Sequence, residues 1–227
     1  MDTITRPPVQ GLVYGTILND RPSLERMGGA LNQPPYGKPP QAPVLYIKPY
    51  NTHAGPGSTV RLPRGADRVD LGATLGIVIG APATRLGEAT ALDAVAGYTV
   101  VLDLSLPSPS VYRPLVREKC FDGACPMGPA VVERAAVPDP SDLTVRTFVN
   151  GAEVAVRRLS DLVRPVPKLL ADVTAFMTLN PGDVLLAGVA LDLPQAGPGD
   201  RVAVEVAGIG RLEIALGLDT ALEGDAR

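Results

Sequence analysis

The sequence contains no tryptophan, and aromatic residues make up only 4% of its 227 residues. Because 45% of the residues are hydrophobic, the core has to be built from Val, Leu, Ile and Ala rather than from large rings. The only histidine is His53, which excludes metal sites built on two histidines and leaves a Ser-His-Asp site dependent on that residue. His53 lies in the turn-rich segment NTHAGPGS, and we interpret it as a loop residue.

Cysteine and long apolar runs are also scarce. Cys120 and Cys125 have the spacing C-x4-C without a second pair or a nearby histidine, so a zinc site is not indicated and free thiols are expected. No apolar run reaches the roughly 18 residues of a membrane helix. The first residues, MDTITRPPV, lack the apolar centre of a signal peptide. These features predict a cytoplasmic protein that contacts no membrane.

Charge and glycine patterns narrow the class of ligand. The net charge is −3 with both signs mixed along the chain, which does not indicate a nucleic-acid surface. GPGS at 55–58 is not a P-loop, and no G-x-G-x-x-G follows a predicted strand. We therefore expect neither a nucleic acid partner nor a nucleotide cofactor.

Twenty-four glycines and twenty-four prolines predict many turns and short elements. Short β-branched runs dominate, and Asn150-Gly151 is a hairpin signal. One helix is predicted near Pro165 to Met177, with an apolar face of Leu169, Leu170, Val173, Phe176 and Met177. The pattern predicts a single α+β, mostly β, domain over residues 1–227, with a lid or N-terminal segment of about 1–43 packed on it.

The stretch from Gly97 to Pro129 is the strongest candidate for a functional site. An apolar run over 98–102 predicts a buried strand that ends on Asp103, and Arg113, Arg117 and Lys119 follow. Lys48 ends another predicted strand, over 44–50. A carboxylate at the end of a buried strand with cations nearby can form a small polar site. The alternative is that Asp103 caps a turn and the cations are solvated.

Several segments, in order along the chain, resemble the fumarylacetoacetate hydrolase superfamily: VDLGATLGIVIG, GYTVVLDLS, KCFDGACPMGP, FMTLNPGDVLLAG and GPGDRVAVEVAGIGRL. Within it, LNDRPSLERM, LPSPSVYRP and REKCFDGACPMG look like the amino-terminal half, or first subunit, of the bifunctional decarboxylase/isomerases of 4-hydroxyphenylacetate degradation. The resemblance implies a mixed-sheet β-roll or sandwich with a few short helices. It also implies a homodimer, or a heteromer with a second homologous subunit.

The resemblance further implies a reaction and a set of site residues. The substrate would be a 2-oxo acid with two or three carboxylates, which loses carbon dioxide and is then tautomerised. Lys119 and Asp103 match catalytic positions, and Arg113, Lys48 and Ser105 match substrate-binding positions. Cations suit such a substrate because arginine can bind a carboxylate through two hydrogen bonds.

The chain departs from the family where a metal would bind. The family holds a divalent metal, Mg²⁺ or Mn²⁺, with a Glu-x-Glu pair and a later Asp, and the matching residues are Gly72, Thr74 and Asp103. Only Asp103 can supply an anionic oxygen, so we expect metal binding to be weak or absent. Asp20 and Arg21 stand near the expected lid histidine, and 187–190 reads AGVA where the family has TGTP.

Three functions therefore remain open. The chain could be a working decarboxylase or isomerase subunit that relies on cations. It could be a degenerate, non-catalytic partner of a metal-binding homologue. As a weaker alternative, it could be another 2-oxo-acid hydrolase or decarboxylase of the superfamily.

Overall fold

Two mixed β-sheets form the framework of the molecule in the computed structural model, which describes residues 4–109, 112 and 114–218. Thirteen strands are present in this part of the chain: β1 Val13–Ile17, β2 Val44–Lys48, β3 His53–Ala54, β4 Thr59–Leu62, β5 Val69–Ile79, β6 Val95–Ser105, β7 Cys125–Glu133, β8 Thr144–Val149, β9 Ala152–Arg158, β10 Val184–Leu186, β11 Gln195–Ala196, β12 Arg201–Val206 and β13 Gly210–Leu218. The helices are short: α1 Arg21–Met27, α2 Val116–Lys119 and α3 Val166–Thr174. The predicted class, mostly β with few helices in curled mixed sheets, is confirmed.

The larger sheet has eight strands in the order β2-β1-β10-β5-β6-β7-β3, with β11 paired to β5. The smaller sheet has five, in the order β4-β13-β12-β8-β9. β1 lies between β2 and β10, so the N-terminal segment supplies a strand of the larger sheet rather than only packing on it. No helix in the described ranges is long and apolar enough to span a membrane.

β5 and β6 are the centre of the larger sheet and are buried on both faces. One face, with Leu75, Leu102 and Leu104, packs in the main core with β12, β13 and α3. The opposite face carries Val78 and Val101 and packs with β1, β7 and β10. Because alternate residues of a strand point to the same side, Asp103 shares this second face with Val101.

The strand β6 runs two residues farther than the sequence indicated. Asp103 lies within β6, which continues to Ser105, so the expectation that the strand ends on Asp103 is corrected. β5 continues alongside with Gly72 directly opposite Asp103. The longer pairing turns a predicted terminal acid into one that is enclosed by the sheet.

The helix α3 begins and packs as the apolar pattern indicates, with one exception. Leu169, Leu170 and Val173 are fully buried against the main core. The helix ends at Thr174, however, and Phe176 beyond it is 64% exposed. Phe176 is therefore not part of the buried face, because the helical periodicity stops before it.

Two turns follow directly from local sequence. Asn150 and Gly151 have φ of 51° and 85°, the left-handed conformations that a two-residue hairpin needs, and they join β8 to β9. Asp20 caps α1 by accepting a hydrogen bond from the backbone N–H of Ser23. A 3₁₀ turn, Gly28–Asn32, continues directly from the end of α1.

Candidate active site

The site is centred on the carboxylate of Asp103, which is fully buried on the second face of β6. Lys48 Nζ lies 2.7 Å from Asp103 Oδ1, and Lys119 Nζ lies 2.7 Å from Oδ2. Lys48 arrives from the end of β2 and Lys119 from the end of α2. Three residues that are far apart in the sequence thus meet at one ion cluster. Lys119 is not solvated as the alternative interpretation required, whereas Arg117 is exposed as that interpretation expected.

The two lysines have different surroundings. Lys48 Nζ also donates to the backbone oxygens of Leu104 at 3.1 Å and of Lys119 at 2.6 Å, so three oxygens surround it. Of the three donors of this ammonium group, two bind these backbone oxygens, and the group faces Asp103 Oδ1 as an ion pair without a hydrogen bond of regular geometry. For Lys119 Nζ, Asp103 is the only acceptor among the described residues. Lys48 is thus fully committed inside the protein, whereas Lys119 retains hydrogen-bonding capacity.

Tyr46 completes the cluster and was not identified from the sequence. Its hydroxyl donates a hydrogen bond to Asp103 Oδ2, and Lys119 Nζ lies 4.5 Å from the centre of its ring. Tyr46 is two residues before Lys48 on β2, so the two side chains point the same way. The two-residue spacing of Tyr46 and Lys48 could have indicated that they share one face of β2. It would have placed Tyr46 in the site only after Lys48 was known to be buried.

Burial alone would raise the pKa of Asp103, but the ammonium groups of Lys119 and Lys48 outweigh it and hold that pKa at about 2. The carboxylate is therefore ionised at neutral pH. Burial and the neighbouring Asp103 charge raise the pKa of Tyr46 well above its usual value, which keeps its hydroxyl protonated as a donor. The cluster thus joins two lysine side chains to a single ionised carboxylate.

An open cavity of about 560 Å³ lies beside this cluster. Lys119 and Tyr46 line it, together with apolar side chains from β1, β2 and the segment before Cys120, among them Ile17, Val44, Leu115 and Val116. Lys119 is 6% exposed and is the charged side chain among the described residues of this lining. The cavity thus brings a ligand against Lys119 while Asp103 stays behind it.

Ser105 and Arg113 are the other two residues that were predicted to bind substrate. Ser105 is buried two residues beyond Asp103 on β6 and does not line the cavity. Arg113 lies outside the described residues, and its role stays a prediction. The structure therefore brings together Asp103, Lys48 and Lys119, and adds Tyr46.

The positions that match the family's glutamate pair are closed by packing. A Cβ on Gly72 would lie 2.5 Å from the backbone oxygen of Asp103 and 3.1 Å from Val189 Cγ1, so no side chain fits there without backbone movement. Thr74 is fully buried and donates to the backbone oxygen of Gly188 at 2.6 Å. The 187–190 loop thus packs onto both positions.

A second buried ion pair fixes this loop to α1. Arg157 Nε lies 2.9 Å from Asp20 Oδ1, and Arg157 Nη1 donates to the backbone oxygen of Gly188 at 2.7 Å. Burial would raise the pKa of Asp20, but hydrogen bonds from Ser23 and the charge of Arg157 lower it. The sequence pointed to Asp20 only as a replacement for a histidine, and Arg157 carried no signal because it lies 137 residues away.

Comparisons with known proteins assign this architecture. The sequence profile described as "Fumarylacetoacetate (FAA) hydrolase C-terminal" matches residues 12–216. The chain belongs to the fumarylacetoacetate hydrolase family. The segments that resemble this family fall on β5, β6, β7, β10, β12 and β13, which are six of the thirteen strands in the two sheets.

Individual relatives point to one branch of the family. A 4-hydroxyphenylacetate degradation bifunctional isomerase/decarboxylase from Salmonella dublin is 38% identical over 205 residues, which are 90% of this chain and 47% of the relative. The chain thus spans about half the length of the curated relatives that it matches most strongly. The matched half is the C-terminal one, which corrects the expectation of the amino-terminal half.

Solved structures agree with the fold. A 5-carboxymethyl-2-hydroxymuconate delta-isomerase from Mycobacterium smegmatis has a TM-score of 0.80 and 33% identity, covering 95% of this chain and 82% of that one. A fumarylpyruvate hydrolase from Pseudomonas aeruginosa, in complex with Mn²⁺ and pyruvate, has a TM-score of 0.78 at 22% identity, covering 96% of this chain and 97% of its own. The second of these structures contains a divalent metal ion.

The residues of this chain do not fit such a metal. Within the described part of the chain, no three His, Cys, Asp or Glu side chains come together in a metal-binding group. Asp103, the one acid retained from the family set, has both oxygens engaged by ammonium groups. A divalent cation there would have to displace Lys48 and Lys119 and would lack the anionic oxygens it prefers.

Proposed function

We propose that this chain is a subunit of the decarboxylase/isomerase of 4-hydroxyphenylacetate degradation and acts in the cytoplasm. It would decarboxylate 5-oxopent-3-ene-1,2,5-tricarboxylate to 2-hydroxyhepta-2,4-diene-1,7-dioate and tautomerise that dienol to the 2-oxo-3-ene acid. The observation that carries the proposal is Lys119, a buried cation held by Asp103 at the wall of the cavity. The bifunctional isomerase/decarboxylase among its relatives supports the choice of reaction.

The decarboxylation requires a positive charge near the 5-oxo oxygen of the substrate. As carbon dioxide leaves, the electron pair of the broken bond moves through the conjugated system toward the 5-oxo oxygen. A positive group placed there before the reaction lowers the barrier, and in an apolar surrounding it does so more strongly than in water. Lys119 supplies such a nitrogen, and Asp103 and Tyr46 fix its position.

The same cluster can serve the tautomerisation. This step removes a proton from the dienol oxygen and delivers one to carbon, so it needs a group that holds or moves a proton near the cavity. Lys119 lines the cavity, whereas Lys48 is fully buried and does not. We assign proton handling to Lys119 for this reason.

The test is turnover of the tricarboxylate by the purified chain, followed by carbon dioxide release and dienoate absorbance. Lys119→Met should lower kcat by about 10²–10³-fold, the cost of removing one donor that stabilises a developing oxyanion. Lys168→Met is a matched control, because Lys168 pairs with Asp172 on α3 and its side chain is 45% exposed. Equal rates for both variants would contradict the assignment.

A second function is favoured by a separate observation. Gly72, Thr74 and Val189 fill the place of the metal ligands, which suits a non-catalytic partner that completes a metal-binding homologous subunit. In that case the purified chain would show no turnover, and it would raise the activity of the second subunit when mixed with it. Lys119→Met would leave that stimulation unchanged.

We also propose that the chain pairs with a second copy or with a homologous subunit. β2 is an edge strand of the larger sheet, and Ile47 on it is 53% exposed. Tyr50 and Val116 nearby add exposed apolar surface. Light scattering at micromolar concentration should give the mass of a dimer. The proposal would be contradicted if the chain stayed a monomer both by itself and after mixing with a homologous subunit.

A further inference from the structure

The lysine–aspartate–lysine cluster contains one more positive charge than it can neutralise. Lys48 has three oxygen partners and is fully buried, so it is the cation that permanently balances Asp103. Lys119 is then the surplus cation, with a single acceptor among the described residues. Burying a charge without a counter-ion of its own is costly, so the place of Lys119 beside an open cavity points to a use for it.

Two features of the surroundings of Lys119 are shared with imine-forming lysines. Amine nucleophiles in enzymes lie in apolar pockets or beside a second cationic group. Lys119 satisfies both conditions, because the cavity wall is mostly apolar and Lys48 binds the other oxygen of the same carboxylate. Lys48 itself cannot take this role, since it is fully buried and does not line the cavity.

We propose that Lys119 forms a covalent imine with the carbonyl carbon of 2-oxo acids, and that this iminium replaces the metal of the family as the electron acceptor. This proposal rests on the proposed function, from which it takes the identity of the substrate. The Lys119 ammonium first releases a proton to water in the cavity. The nitrogen lone pair then attacks the oxo carbon. The former carbonyl oxygen takes one proton from this nitrogen and one back from the cavity water, and it leaves as water to give the iminium.

The remaining steps need no further reagent. In the decarboxylation, the carbon–carbon bond breaks, carbon dioxide departs, and the electron pair moves to the nitrogen to give an enamine. Reprotonation on carbon restores the iminium, and water hydrolyses it to the free amine and the product. Asp103 stays ionised throughout and stabilises the positive nitrogen from behind.

The experiment is reductive trapping on the intact wild-type protein with pyruvate as the probe. Sodium borohydride reduces an imine to a stable secondary amine, so the protein should gain the mass of one reduced pyruvate. Peptide mapping should place it on Lys119. Lactate, which has no oxo group, is the matched negative probe, and labelling at Lys38 and Lys168 measures non-specific reaction.

Lys119→Arg provides a second test, since it keeps the positive charge but cannot form the imine. Its melting temperature shows whether it folds, and its trapped adduct should disappear. The inference is overturned if wild-type protein carries no adduct on Lys119, if Lys38 and Lys168 label equally well, or if Lys119→Arg turns over the tricarboxylate as wild type does.

These results separate the two proposals. Turnover without any trapped adduct would overturn the imine while leaving the proposed function in place. A Lys119 adduct with pyruvate in a protein that does not turn over the tricarboxylate would support the imine and contradict the proposed function.

Discussion

Lys48 and Lys119 bind the same carboxylate but contribute differently to the protein. Lys48 holds three oxygens in a dry environment, and its loss would leave Asp103 and two backbone oxygens with fewer partners. Lys119 holds only Asp103, and removing it leaves the Asp103–Lys48 pair balanced in charge. The structural role therefore belongs to Lys48 and the chemical role to Lys119.

Urea unfolding of Lys48→Met and Lys119→Met tests this division. Lys48→Met should lower the free energy of unfolding by about 3–5 kcal/mol, as expected when one partner of a buried pair is removed. Lys119→Met should cost no more than about 2 kcal/mol, because one charge-assisted hydrogen bond is lost and the surplus charge is lost with it. Equal losses would mean that Lys119 is also structural.

The ionisation of Asp103 makes stability depend on pH in an acidic window. Its pKa is about 2 in the folded protein, below the value near 4 of an unfolded chain. Its ionisation therefore stabilises the fold fully above about pH 4, and that stabilisation is lost as the pH falls toward 2. Protonated Asp103 is uncharged, as an asparagine at this position would be.

Asp103→Asn should thus be strongly destabilised at pH 7, and its gap from wild type should narrow as the pH falls from about 4 to 2. Chemical denaturation across this range measures the gap. Asp67→Asn is the matched control, because the Asp67 side chain is 87% exposed and should show no such convergence. A gap that stays constant with pH would contradict the folded pKa of about 2.

Among the secondary structure elements, β1 and β2 determine where the cluster can form. Gly15 on β1 is paired with Tyr46 on β2, and a Cβ on Gly15 would overlap the Tyr46 ring at 2.0 Å. The absence of a side chain at Gly15 thus lets the ring lie flat enough for its hydroxyl to reach Asp103. This close approach links an N-terminal strand to the chemistry on β6.

Gly15→Ala should displace Tyr46 and lower the free energy of unfolding by about 1–3 kcal/mol, the usual cost of overpacking. Activity should fall with it, because the Tyr46 ring no longer supports Lys119. Gly29→Ala is the matched control, since a Cβ there meets nothing within 4 Å. The measurements are the free energy of unfolding and the turnover rate of the two variants. Equal values for Gly15→Ala and Gly29→Ala would refute a role for Gly15.

Much of the element pattern could be predicted from the sequence because it depends on neighbouring residues. The hairpin at Asn150-Gly151 follows from turn chemistry, and the burial of β5 and β6 follows from unbroken apolar runs. Tyr46 and Arg157 could not be found in this way, since their partners are 57 and 137 residues away. Phe176 was misplaced because the apolar pattern of the sequence continues past Thr174, where the helix itself ends.

The molecule as a whole keeps the family architecture while its metal-binding positions have closed. Gly72 and Thr74 are packed by the 187–190 loop, and the Asp20–Arg157 pair ties that loop to α1. The adjoining cavity remains open beside Lys119. We infer that the cationic centre has moved from a bound metal to a lysine, and that the apolar cavity is the remaining route to it.

Metal dependence tests this account most directly. The measurement is the rate of tricarboxylate turnover by purified protein after dialysis against a chelator, with residual metal measured, and again after addition of Mg²⁺ or Mn²⁺. The account predicts the same rate in all three states and loss of that rate in Lys119→Met. A rate that vanishes on chelation and returns with Mn²⁺ would contradict it.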